Sequence, residues 1–153
     1  MAELKGPDKQ RYVSEMFARI SGRYDLMNTL MTGGLHLRWK EKTAQLTTGG
    51  LTGKALDVAT GTGDLAFSLG RCPGIDGAVG VDVLPQMVSL AREKGRSKDP
   101  AQKVTFVLGD AHALPFPNNS FACATAGFSL RNMSNLDQAL SEMVRVVRPG
   151  GRV

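Results

Sequence analysis

Three aspartates, Asp57, Asp82 and Asp110, stand in or at the ends of the apolar runs "KALDVAT", "GAVGVDV" and "KVTFVLGD", and the first run leads into the glycine loop of "LDVATGTGDLA". A carboxylate only accepts hydrogen bonds, so acids placed this way suit a ligand rich in donors: ribose hydroxyls, an ammonium, an exocyclic amine. Gly61 and Gly63 lie between a strand and a helix, where glycine lets a ligand approach the backbone closely. In an open parallel sheet, ligands bind beyond the carboxyl ends of the strands.

With Ala66 the loop matches the dinucleotide pattern G-x-G-x-x-A, and Asp82 falls near the expected ribose position. That signature alone does not separate an NAD enzyme from others. The flanking charges do. A pyrophosphate at a helix N-terminus wants free N–H groups and no competing anion, yet Asp64 opens this helix and Asp57 precedes the loop. Asp64 also has a plain structural reading, as a helix N-terminal charge worth about 0.3–1 kcal/mol. Asp57 in an apolar strand is harder to dismiss, because a buried carboxylate without partners is costly. Two carboxylates favour a cofactor carrying an ammonium and a sulfonium, S-adenosylmethionine. In this reading Asp82 accepts from both ribose hydroxyls, Asp110 accepts from the adenine amino group, and Ala111 offers a backbone N–H.

The elements that must position these residues follow from periodicity. A helix is predicted from Pro7 to Ile20, with Tyr12, Val13, Met16, Phe17 and Ile20 at helical spacing. Leu26, Met27, Leu30 and Met31 give a short second helix, packed toward the sheet, that stops at Gly33-Gly34. A third carries Trp39 and Leu46 as far as the linker "TTGGLTG". Strands and helices then alternate: "KALDVAT", helix "DLAFSLG", "GAVGVDV", a helix whose Pro85 suits the first turn, "KVTFVLGD" and "FACATAGF". The helix in "NLDQALSEMVRVVRPGG" places Leu136, Ala139, Leu140, Met143, Val144 and Val147 on one face. Ser134 with Asp137 is its expected cap, and Pro149-Gly150 its expected end. The alternation predicts an α/β fold with a parallel sheet and helices on both faces. Residues 1–49 read as a helical segment covering the substrate, and 50–153 as the cofactor-binding domain. A fifth strand would only be starting at "GGRV", so a four-strand sheet with an unpaired edge is expected. The missing strands would come from a longer chain or from a second copy in a homo-oligomer.

At 153 residues, 42% hydrophobic and 22% charged, the chain fits one soluble domain. Cys72 and Cys123 lie far apart with no metal-like spacing, which predicts interior thiols in a reducing compartment and no bound metal. No apolar run reaches the length of a membrane span and the N-terminus lacks a signal-peptide centre, so a cytoplasmic location is expected. The net charge of +5 is scattered over solvated faces and is not interleaved with aromatics, which argues against nucleic acid. It admits a weak peripheral contact with an anionic membrane surface at the inner face.

Two longer segments narrow the reading. "YDLMNTLMTGGLHLRWK" and "FSLRNMSNLDQALSEMVRVVRPGGR" resemble the two signatures of the ubiquinone/menaquinone biosynthesis C-methyltransferases, a group of class I S-adenosylmethionine-dependent methyltransferases with a Rossmann-like sheet. With "LDVATGTGD" the resemblance covers nearly the whole chain. It implies that Thr62, Asp82, Asp110 and Ala111 contact the cofactor, joining Asp57, Gly61 and Gly63. Where the family usually has Ser this chain has Gly127, and Ser129 stands where Gly is usual. The implied reaction is methyl transfer to a ring carbon of a prenylated quinol. Arg131 would stabilise the quinolate and Asn132 hold a ring oxygen. Tyr24, Asp25 and Asn28 share a helix face toward the quinol head, and His36 has the titration range of a proton acceptor. The stretch from Tyr24 then reads as a lid hinged at Gly33-Gly34. Three alternatives remain open at this point: a methyltransferase of another small molecule, an NAD enzyme, and a non-catalytic fragment.

Overall fold

The computed structural model describes residues 24–97 and 103–153, apart from the side chains of Tyr24, Asp25, Met27 and Asn28. The helix expected over Pro7 to Ile20 lies outside the described residues.

Two helices come first, α1 (Tyr24–Thr32) and α2 (Leu35–Thr48). They are joined through Gly33 and Gly34, both in the left-handed region at φ +58° and +81°. A Cβ on either would meet nothing within 4 Å, so backbone conformation, not space, requires glycine here. The sheet follows as β1 (Gly53–Val58), α3 (Asp64–Gly70), β2 (Ile75–Asp82), α4 (Pro85–Arg96), β3 (Val104–Leu108), β4 (Phe121–Thr125), a 3₁₀ turn (Leu130–Asn132), α5 (Leu136–Val146) and β5 (Val147–Arg152). Five strands pair in parallel in the order β3-β2-β1-β4-β5. The chain leaves β1 toward β2 and later returns to β4 on its other side. The β1–β4 boundary is therefore the switch point at which this fold class opens a crevice.

Period-two alternation along β1 sorts the core. Leu56 and Val58 pack with Val81 and with Met143 and Val146 of α5. Ala55 turns to the opposite face, against Leu65 and Leu69 of α3 and Ala44 of α2. Phe67, Val88, Ala91 and Phe106 form a third cluster under α4, where the Phe67 and Phe106 rings meet edge to face at 5.3 Å. Each fully buried side chain of this kind contributes about 1.5–3 kcal/mol relative to exposure. Ala44 shares its cluster with β1 and α3, so α2 is packed into the sheet's core and is not a detached cap.

The structure departs from the expectations in four places. A fifth strand is formed: Val147 pairs with Phe121 and Arg152 with Cys123, with intervening residues looped out around Gly150. Pro149 is tolerated because an edge strand needs no ladder N–H there. Asn135, not Ser134, caps α5, its Oδ1 accepting from Gln138 N at 3.1 Å. Burial on α5 falls on Ala139, Met143 and Val146, leaving Leu136 41% and Val144 61% exposed. Finally, Leu30 and Met31 are 74% and 81% exposed, so they do not pack on the sheet. Cys72 and Cys123 are buried and free, and burial pushes the Cys123 thiol up to about 11.

Candidate functional site

The carboxyl ends of β1 to β4 open on two cavities of about 130 Å³ and 190 Å³. Both are lined by Ala59, Gly61, Gly127 and Phe128, which form the boundary between them. Two of these boundary residues carry backbone strain. Ala59 and Phe128 are non-glycine residues at φ +53° and +61°, a conformation costing about 1–3 kcal/mol and found where a site is over-determined by its surroundings. Phe128 also meets Trp39 of α2 at 6.3 Å between ring centroids, which links that helix to the junction of the cavities.

The smaller cavity collects Asp82, Asp110 and Ala111. Asp82 ends β2, and its carboxylate accepts from Gly61 N at 2.8 Å and from Leu84 N at 3.0 Å. Burial raises its pKa despite these backbone N–H bonds. A carboxylate offers about four acceptor positions, so these backbone bonds do not exhaust it. Asp110 follows β3 and accepts from His112 Nδ1 at 2.6 Å and His112 N at 2.9 Å. His112 Nε2 in turn accepts from Asn135 N at 3.3 Å, which assigns the ring proton to Nδ1. This bracing histidine escaped the sequence reading, although a His two residues after an acid at a strand end is a usable signal. Ser129 Oγ is buried in the wall of this cavity with no hydrogen-bond partner among the described residues.

The larger cavity collects His36, Lys40, Asp57, Thr62 and Arg131. Asp57 is 1% exposed. Its ladder neighbour Thr125 donates to Oδ1 at 3.0 Å, and Thr60 donates to Oδ2 at 2.6 Å. Burial nevertheless pushes its carboxyl from the ordinary 3.8 up to about 6. His36 is buried, with Nδ1 2.9 Å from Thr32 Oγ1. Lys40 lies one helical turn beyond it; that i, i+4 spacing places both on one face and was readable from the sequence.

Other expected residues fall elsewhere. Arg131 and Asn132 are adjacent on the 3₁₀ turn, with Arg131 lining the larger cavity and Asn132 the smaller. Gly63 lines neither cavity. A Cβ there would lie 2.5 Å from Phe106, and its φ is +86°, so packing requires glycine. Asp64 is tied to the protein: Lys94 Nζ lies 2.6 Å from Oδ1 and Lys40 Nζ 3.0 Å from Oδ2. Burial pushes its carboxyl up, but the hydrogen bond from Lys94 and the charge of Lys40 outweigh that and hold it below the ordinary range. Tyr24, Asp25 and Asn28 belong to α1, and their side chains lie outside the described residues. Among the described residues no cluster of His, Cys, Asp and Glu could hold a metal ion, and no helix is long and apolar enough to cross a membrane.

Three backbone donors of the glycine loop are already committed. Thr60 N donates to Val81 O, Gly61 N to Asp82 and Gly63 N to Thr60 O. A pyrophosphate would need such N–H groups free. Beside the loop stand the buried acids Asp57 and Asp82, acceptors suited to an adenosyl ligand carrying a cationic end.

Comparison with known proteins agrees with this chemistry. A family model described as the ubiE/COQ5 methyltransferase family matches residues 5–153. The ubiquinone/menaquinone biosynthesis C-methyltransferase UbiE of Pseudomonas paraeruginosa is 42% identical over 95% of the chain, and its counterpart from Ectopseudomonas oleovorans is 40% identical over 94%. The chain spans 57% of the first relative's length and 85% of the second's. Among solved structures, the [4+2]-cyclase SpnF superposes with a TM-score of 0.76 at 27% identity, over 97% of this chain and 60% of that one. A Haemonchus contortus phosphoethanolamine N-methyltransferase bound to S-adenosylhomocysteine superposes with a TM-score of 0.66 at 25% identity, over 74% of this chain and 26% of that one.

Proposed function

This chain belongs to the ubiE/COQ5 methyltransferase family, and on that premise we propose that it binds S-adenosylmethionine across the two joined cavities and serves C-methylation of a prenylated quinol. The observation that carries the reading is the run of acids Asp57, Asp82 and Asp110 at the ends of successive strands, all opening on cavities that meet at Gly61 and Gly127. The cofactor supplies a methyl group on a sulfonium, already electrophilic, so the protein's part is position and charge. Asp82 takes the ribose hydroxyls, Asp110 and the N–H of Ala111 take the adenine edge, and Ser129 adds a hydroxyl to that cavity's wall. Asp57 and Thr62 serve the amino-acid end.

On the acceptor side, Arg131 stays protonated and stabilises the quinolate oxygen, while His36 lies in the same cavity for proton transfer. Asn132 serves the cofactor side instead of the quinol ring. Residues 1–49 serve as the substrate-covering segment, and Tyr24, Asp25 and Asn28 serve as its polar contacts to the quinol head. The exposed Leu30, Met31, Leu37 and Trp39 offer apolar surface for the prenyl tail and for peripheral contact with a membrane. A second copy would add at the outer edge of β5.

Calorimetric titration of the purified chain with S-adenosylmethionine and with NAD tests the cofactor half, and transfer of labelled methyl to short-chain demethylmenaquinol and demethoxyubiquinol analogues tests the acceptor half. Tight binding of NAD alone would overturn the first. Methylation of polar metabolites but no quinol would overturn the second.

A further inference from the structure

Lys40 is a cation in the wall of the larger cavity, beside Asp57, Gly61 and Thr62. Its side chain is only 13% exposed. Its Nζ has one ion-pair partner, Asp64 Oδ2 at 3.0 Å, and that carboxylate is already held at its other oxygen by Lys94 at 2.6 Å. An ammonium has three donors, so the bond to Asp64 anchors Lys40 and still leaves two. Lys40 is near enough to Asp57 to counter part of the burial that raises its carboxyl. The two do not pair, however: Asp57 is held by Thr60 and Thr125, and Lys40 by Asp64. One wall thus presents a fixed carboxylate and a fixed ammonium that have not neutralised each other.

An α-amino acid is the mirror of that arrangement, an ammonium and a carboxylate on one carbon. We propose that Lys40 recognises the α-carboxylate at the amino-acid end of the cofactor, so that the site selects an adenosyl ligand bearing a whole amino acid over one without its carboxylate. This rests on the S-adenosylmethionine reading above. The alternatives in the cavity are less suited: His36 is tied to Thr32, and Arg131 lies on the exposed 3₁₀ turn. Pre-placed donors of this kind cost no reorganisation when the ligand arrives.

The probe pair is S-adenosylmethionine and its decarboxylated form, which differ only in the carboxylate, titrated calorimetrically into wild type, Lys40→Met and Lys40→Arg. Wild type is expected to favour the carboxylated ligand at least tenfold, equivalent to about 1.4 kcal/mol. Lys40→Met should bring the ratio near one by weakening only the carboxylated ligand, and Lys40→Arg should restore several-fold preference. Lys40→Gln, which keeps a donor toward Asp64, answers the same question if Lys40→Met does not fold. A neutral variant that keeps the wild-type ratio, or that weakens both ligands equally, overturns the proposal. A wild-type chain that binds neither ligand overturns the cofactor reading itself, and this inference with it.

Discussion

Replacing Asp57 by Asn should stabilise the ligand-free chain at neutral pH while damaging the site. Asp57 is fully buried, and burial raises its carboxyl from 3.8 to about 6, against the Thr60 and Thr125 hydrogen bonds and the charge of Lys40. An acid raised on folding costs stability as pH climbs. Below about pH 4 both states hold the proton; between there and pH 6 only the unfolded state gives it up; above pH 6 the penalty is constant. Two pH units at 1.36 kcal/mol each amount to about 3 kcal/mol, of which roughly 2 kcal/mol develops above pH 4.5. Asn cannot ionise and keeps one oxygen for a threonine hydroxyl, at a cost of about 1 kcal/mol for the bond rearranged. That cost is independent of pH. The measurement is urea unfolding of both proteins without ligand from pH 4.5 to 8, plotted as variant minus wild type. The difference should move by about 2 kcal/mol in favour of Asp57→Asn and level off above pH 7. A flat difference, or one that moves toward wild type, would refute the idea that desolvation dominates at Asp57.

Three further outcomes follow from other parts of the structure. Affinity for S-adenosylmethionine should tighten about tenfold between pH 5 and pH 7, because a cationic ligand prefers Asp57 without its proton and the ionised fraction rises about that much across a value near 6; unchanged affinity in calorimetry at the two pH values counts against Asp57 facing the ligand's ammonium. Gly63→Ala, with φ +86° and a Cβ 2.5 Å from the Phe106 ring, should lose roughly 2–4 kcal/mol in denaturant unfolding, and Phe106→Leu should recover part of it. Asn135→Ala should cost about 1 kcal/mol through the lost cap on α5, whereas Ser134→Ala, which leaves that cap intact, should cost clearly less in the same assay.

The strand–helix alternation from β1 to α4 was legible because its signals are local. Short apolar runs bounded by turn residues and rich in β-branched residues read as buried strands, and "DLAFSLG" coincides with α3 at both ends. The acids at strand ends were legible for the same reason, since β1, β2 and β3 bring Asp57, Asp82 and Asp110 to one edge whatever the packing above them. The lid was not. Helical spacing in α1 says that Leu30 and Met31 are neighbours on a surface, but not what covers that surface, and here they are exposed. The end of α5 failed for a different reason: Pro149 and Gly150 do mark a break, but a parallel edge strand can absorb both, so the helix stops earlier and β5 runs through them.

Asp57 and Asp64 show how far charge alone can be read. In the sequence both acids bracket a glycine loop and both are hostile to a pyrophosphate, although Asp64 also reads as a helix N-terminal charge. In the structure two lysines from two different helices reach Asp64 and none pairs with Asp57. Asp64 therefore fastens α2 and α4 to the start of α3, and its charge is largely spent. The case against a dinucleotide moves to the loop itself, where Thr60, Gly61 and Gly63 have already committed their N–H groups, one of them to Asp82. That last bond joins the two halves of the site: the residue proposed to take the ribose is also the one that occupies a donor a phosphate would need. Exchanging Asp82 for a neutral residue would thus remove a ribose acceptor and free a loop N–H at once, shifting the loop's preference toward anions by a single change.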